Sequence, residues 1–211
     1  MKLVLVADPM CSWCYGFGKE MTSLLERHQK IKLDIVVGGL RAGATDILDE
    51  AGKRFRLQHW ARVEQLSGLA FNRDGLMARR NFVYDTEPIC RAVVAARILV
   101  PECDLLEVFR ALQRAFYVDA LDTTDGAVLA EVGAAALSEA GYPVGASEFL
   151  DVWRLPGTID ATQAEFDRAR SMGVTSFPAL FVERGNGLRR VGDGYAQVTA
   201  LEHELGLPSQ A

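Results

Sequence analysis

The feature that most constrains this chain is an apolar run leading into two closely spaced cysteines, LVLVADPMCSWC at residues 3–14. Leu3, Val4, Leu5 and Val6 show no alternation, as expected of a strand buried on both faces of its sheet. Asp8-Pro9 ends that strand, and Cys11-Ser12-Trp13-Cys14 falls where the chain turns into a helix. Thiols in this spacing at a strand-to-helix junction suit disulfide exchange. The attacking form is the thiolate, which the unpaired N–H groups and positive dipole end of a first helical turn favour. Cys11 is therefore expected as the exposed nucleophile. Cys14, one turn on, is expected to resolve the mixed disulfide. Trp13 between them either offers an apolar surface to a peptide or folds onto the domain. Asp8 either carries a proton for Cys14 or caps the turn before the helix, with capping the preferred reading.

The remaining elements follow in order. Residues 19–29 carry apolar Met21, Leu24 and Leu25 at helical spacing, and 30–40 read as a second strand closed by Gly38-Gly39. Strand, helix and strand make a βαβ unit with parallel strands. From 43 to 157 no period-two run is evident, and helices are expected over 47–64, from Asp85-Thr86-Glu87-Pro88 to about Val100, over 104–116 and over 124–140. Asn72-Arg73-Asp74-Gly75 reads as a turn, and Pro143, Pro156 and Gly157 as the exit from this helical stretch. A helix over 161–172, a strand over 179–182, a hairpin turn at Gly185-Asn186-Gly187, a return over 188–191 and a helix over 196–205 complete the chain. The expected class is α/β: an N-terminal βαβ half over 1–42, an all-helical insertion over 43–157, and an αββα half over 158–211.

Composition narrows the functional classes. A net charge of −5 and pI near 5.3 argue against nucleic acid or anionic membrane as partner. No apolar run approaches the length of a spanning helix. No basic and apolar leader precedes the first strand, so a cytoplasmic location is expected. Four cysteines in 211 residues are too few for a disulfide scaffold, and in a reducing compartment a close pair is read as chemistry. A zinc site would need a second C-x-x-C or paired histidines, whereas His28, His59 and His203 are scattered, so no metal is expected. Cys90 reads as a small buried hydrophobe or an additional thiol and Cys103 as a bystander, with a bridge between them a matter for geometry. Met10, Tyr15 and Phe17 flank the motif, with core packing the default.

The order βαβ, helices, αββα, with C-x-x-C opening the first helix and Ser176-Phe177-Pro178 before the third strand, resembles the thioredoxin fold. The long helical insertion is similar to that of the DsbA branch. The local patterns DPMCSWCYG, YDTEP and GVTSFPAL resemble the DsbA-like proteins described as predicted protein-disulfide isomerases, including the FrnE-like group. The resemblance implies a cis Pro178 beside the C-x-x-C and a Phe177 whose backbone pairs with extended substrate. Ser12 and Ser176 would support the site. It implies thiol–disulfide oxidoreductase or protein-disulfide isomerase activity on disulfide- or thiol-containing proteins, without a bound cofactor and with glutathione as a candidate redox partner. Two other classes share the architecture or the motif. One is a glutathione-dependent enzyme resembling 2-hydroxychromene-2-carboxylate isomerase or kappa-class glutathione transferase, which generally carries Ser at the position of Cys11. The other is a non-catalytic binding or redox-sensing partner.

Overall fold

The structure is a computed structural model that describes residues 1–185, 187–192 and 194–208. The apolar run forms the central strand β1 (Lys2–Ala7). It pairs in parallel with β2 (Lys32–Val37), Leu3 opposite Leu33 and Val6 opposite Val36. On its other side it pairs antiparallel with β3 (Ala179–Arg184), Val4 opposite Phe181, and β4 (Gly187–Val191) returns antiparallel to β3. The sheet order is β2-β1-β3-β4. The lack of alternation in β1 has a direct cause. Leu3, Leu5 and Ala7 join the main core, while Val4 and Val6 join a second cluster with Val36, Ala169, Val174 and Phe181. Both faces are covered.

The connection from β1 to β2 is α1 (Ser12–Arg27), a single helix that begins inside the cysteine motif. Between β2 and β3 lie α2 (Glu50–Ser67), α3 (Arg73–Ala78), α4 (Glu87–Leu99), α5 (Leu105–Tyr117), α6 (Gly126–Glu139), α7 (Ala146–Arg154) and α8 (Pro156–Ser171), and α9 (Val198–Leu205) closes the described chain. Local capping explains several starts. Asp49, Asp104 and Asp125 accept hydrogen bonds from Gly52, Leu106 and Ala127 N–H, and Pro88 occupies the first turn of α4, where no N–H is needed. The helices share the main core with the sheet: Trp60, Phe109, Phe116, Tyr117, Leu129 and Phe149 bury in the same cluster as Leu3 and Leu5. Each such large apolar side chain contributes roughly 1.5–3 kcal/mol. The outer edge of β2 is closed by side chains, since Arg97 donates to the Ile35 carbonyl, Glu165 accepts from Val37 N–H, and the two pair with each other. That blunts an edge otherwise open to strand addition.

Three local expectations change. Asn72-Arg73-Asp74-Gly75 is a helix start rather than a turn: Asn72 caps α3 by accepting from Gly75 N–H. The same residue types serve turns and N-caps, and only the following Leu76, buried in the core, separates the two. Helix α7 occupies residues read as an exit, because Phe149 is driven into the core against Gly133, where a Cβ would lie 2.4 Å from the ring. Pro156-Gly157 opens α8 rather than closing the stretch, with Pro156 in the first turn. The question of a Cys90–Cys103 bridge, left open by the sequence, is answered by two free thiols, Cys90 buried and Cys103 half-buried. Of the hairpin turn Gly185-Asn186-Gly187, Asn186 lies outside the described residues, while Gly187–Val191 does return antiparallel.

Candidate active site

Cys11 is the N-cap of α1, in extended conformation, with its N–H on the Asp8 carbonyl at 3.0 Å. Both cysteines are nearly enclosed, Cys11 at 6% exposure and Cys14 at 2%, but only Cys11 lines the adjoining cleft. The Phe177–Pro178 peptide is cis, and the Cys11 thiol donates to the Phe177 carbonyl at 3.7 Å. Residues 166 positions apart in sequence thus meet at one sulfur. Burial, and then the neighbouring Cys11, push the Cys14 thiol well above its ordinary range, while a backbone hydrogen bond from Asp8 partly offsets them. Cys14 is thereby held as the protonated thiol.

Phe177 fits because Gly38, at the end of β2, has no side chain. A Cβ there would lie 2.0 Å from its Cε1 and 2.3 Å from its Cζ. Gly38→Ala is expected to force the ring out of place and to lower stability by roughly 1–3 kcal/mol, read from the urea midpoint. An unchanged midpoint would show that the ring moves aside without cost.

Asp8 sits beneath this junction, fully buried. Its carboxylate accepts from Met10 N–H at 2.8 Å, Leu40 N–H at 2.6 Å and the Cys90 thiol at 3.6 Å, and also bonds the Thr86 side chain. It thus ties the turn before Cys11, the loop after β2 and the start of α4 together. Burial pushes its pKa from 3.8 up to about 6, against these hydrogen bonds, which draw it down. Burial likewise pushes the Cys90 thiol well up, so it serves here as a hydrogen-bond donor.

The cleft beside Cys11 has a volume of about 600 Å³. Ser12, Trp13, Ser176 and Phe177 line it from the two sequence motifs, and Leu40, Arg41, Phe55, Arg56, His59 and Tyr84 from the loop after β2, α2 and the segment before α4. Trp13 is anchored while lining it, donating from Nε1 to His59 Nδ1 at 3.2 Å. Pro178 is buried behind Phe177.

No protein-family model matches the chain, and no curated protein does. Among solved structures, it is similar to a presumed protein disulfide isomerase from Nitrosomonas europaea, with 32% identity, a TM-score of 0.86, and coverage of 97% of this chain and 95% of that one. The chain belongs to the DsbA-like disulfide oxidoreductases. This DsbA-like chain is also similar to the cytosolic disulfide reductase DsbM from Pseudomonas aeruginosa, at 25% identity and TM-score 0.74, over 91% of this chain and 89% of that one. A second structure of DsbM contains GSH. Likeness to 2-hydroxychromene-2-carboxylate isomerase, at 11% identity and TM-score 0.62 over 90% of this chain and 88% of that one, shows the fold alone.

Several residues of this DsbA-like cleft escape sequence reasoning. Phe55, an apolar residue of α2, is 60% exposed and meets His59 edge-on at 4.7 Å. His59 counts in the sequence only as a scattered histidine and Arg56 carries no reading of its own, although the i, i+4 spacing of Phe55 and His59 puts them on one side of α2. Tyr84 reads as part of a motif without a role; its hydroxyl donates to the Met10 carbonyl, one residue before Cys11. Met10 and Phe17 are core residues, and Tyr15 is buried with its hydroxyl on the Ala70 carbonyl. No helix among the described residues is long and apolar enough to cross a membrane.

Proposed function

We propose that this DsbA-like oxidoreductase reduces or isomerises protein disulfides in the cytoplasm, through Cys11-Ser12-Trp13-Cys14, with glutathione as a redox partner and no bound cofactor. The observation that carries the reading is the asymmetry of the two thiols: Cys11 faces the cleft beside the Phe177 carbonyl, whereas Cys14 is shut behind it with its ionisation suppressed by burial. Cys11 thiolate attacks a substrate sulfur, the substrate disulfide breaks, and one substrate thiolate leaves. Cys14 then gives up its proton and attacks Cys11 Sγ, releasing the second thiolate and leaving a Cys11–Cys14 disulfide. Two electrons and two protons pass to the substrate. The apolar wall of Trp13 and Phe177, backed by Pro178, suits an extended peptide, with Ser12 and Ser176 at its rim. Asp8 supports the turn that carries Cys11. The likeness to a cytosolic disulfide reductase, and to its structure with GSH, supports the compartment and the partner.

The two-step scheme is tested by trapping. Cys14→Ser, mixed with oxidised glutathione, is expected to accumulate one glutathione on Cys11, identified by mass spectrometry and removed by dithiothreitol. Adduct on Cys90 or Cys103 instead would reassign the nucleophile.

A further inference from the structure

The cleft beside Cys11 differs in charge from the protein that holds it. The chain carries net charge −5, yet among the described residues lining this cleft no Asp or Glu occurs, while Arg41 and Arg56 do. Other grooves mix signs: the one between α5 and α6 carries Glu107 and Glu139 with Arg110 and Arg114, and the one beside β2 carries Asp34, Glu102 and Asp104 with Arg97. Arg41 is already committed in part, its Nη2 held by both oxygens of Asp46 at 2.8 and 3.0 Å.

Arg56 is different. Its guanidinium lies 4.1 Å over the Tyr84 ring, and its Nη1 donates to the Gly52 carbonyl within its own helix at 3.0 Å. Among the described residues no carboxylate pairs with it. Stacking on an aromatic face fixes the plane of a guanidinium while leaving in-plane N–H donors for a ligand. The position is tied to the chemistry, because Tyr84 itself donates to the carbonyl of Met10, next to Cys11. A fixed, unneutralised cation thus stands in the cavity into which the nucleophile faces, and about 600 Å³ is the size of a small-molecule site.

We propose that Arg56 is a specificity-determining residue that selects small disulfides bearing a carboxylate, the class to which oxidised glutathione belongs. The inference rests on the exchange reading above and adds which disulfides are favoured. Reduced enzyme attacks RS–SR through Cys11, RS⁻ departs and takes a proton from water, and Cys14 displaces the second RS⁻ to leave the Cys11–Cys14 disulfide and two RSH. Arg56 holds the carboxylate of R during the first displacement.

The test measures second-order rates of oxidation of the fully reduced protein by oxidised glutathione, which is anionic, and by cystamine, which is cationic, followed by tryptophan fluorescence. The anionic-to-cationic rate ratio is expected to fall about tenfold in Arg56→Gln, the scale of a charge-assisted contact at a half-exposed site. Arg56→Lys should keep most of the preference, Arg56→Glu should push the ratio lower still, and raised salt should shrink it in wild type. Taking a ratio cancels any general loss of activity, and circular dichroism checks that each variant is folded. A ratio unchanged in both Arg56→Gln and Arg56→Glu overturns the proposal. Failure of wild type to react with either disulfide overturns the exchange reading instead, so the two failures are distinct.

Discussion

Cys11→Ser is expected to abolish catalysed insulin reduction, the rate falling by on the order of a hundredfold or more to that of dithiothreitol alone. A serine hydroxyl is too weakly acidic to supply the attacking anion at neutral pH, and among the described residues lining the cleft Cys11 is the one thiol. Cys14 is shut off and kept protonated by burial, and Cys90 is fully buried with its thiol on Asp8. The substitution removes one sulfur and leaves the N-cap backbone of α1 intact, so the fold should survive; far-UV circular dichroism and the urea midpoint report that separately. Retention of activity in a folded Cys11→Ser protein would remove Cys11 from the mechanism and turn attention to the redox-sensing alternative.

Asp8 is expected to produce the largest pH dependence of stability. Its native pKa of about 6 lies above the ordinary 3.8 because burial outweighs the hydrogen bonds from Thr86, Leu40, Met10 and Cys90. Between those values the native state keeps its proton while the unfolded chain has lost it. The favourable contribution is therefore full below about pH 3.8 and is lost as pH rises through about 6, a change on the order of 3 kcal/mol. Urea unfolding of wild type from pH 4 to pH 7 should show this decline, superimposed on the other carboxylates, and Asp8→Asn should lack it. Asp8→Asn should also lose stability at pH 4, because an amide nitrogen set against Leu40 N–H or Met10 N–H cannot accept a hydrogen bond. Parallel pH curves for the two proteins would show that Asp8 does not titrate in this range.

These effects bear on one junction, and its parts were unequally legible. The motif itself was plain because its signals are local: four apolar residues in succession, a proline stop, and two thiols one helical turn apart. The start of α4 at Asp85-Thr86-Glu87-Pro88 was equally local. Asn72-Arg73-Asp74-Gly75 is ambiguous because a cap and a turn use the same side-chain chemistry, and α7 is hidden because its nine residues lie between prolines.

The sequence by itself determined the succession of strands, the helices other than α3 and α7, the doubly buried β1 and the thiol pair, since each depends on residues within a few positions of one another. The meeting of Cys11 with Phe177 and Pro178 followed only from resemblance until the sheet placed β3 beside β1. Tertiary structure alone decided the rest of the site. Asp8 became a buried hub only when Leu40, Thr86 and Cys90 closed around it, and Arg56 became a cleft cation with no carboxylate partner among the described residues only when Tyr84 came beneath it. Periodicity specifies which face of a helix is apolar, but the partner that face or its polar neighbour meets is set by packing between segments far apart in the chain.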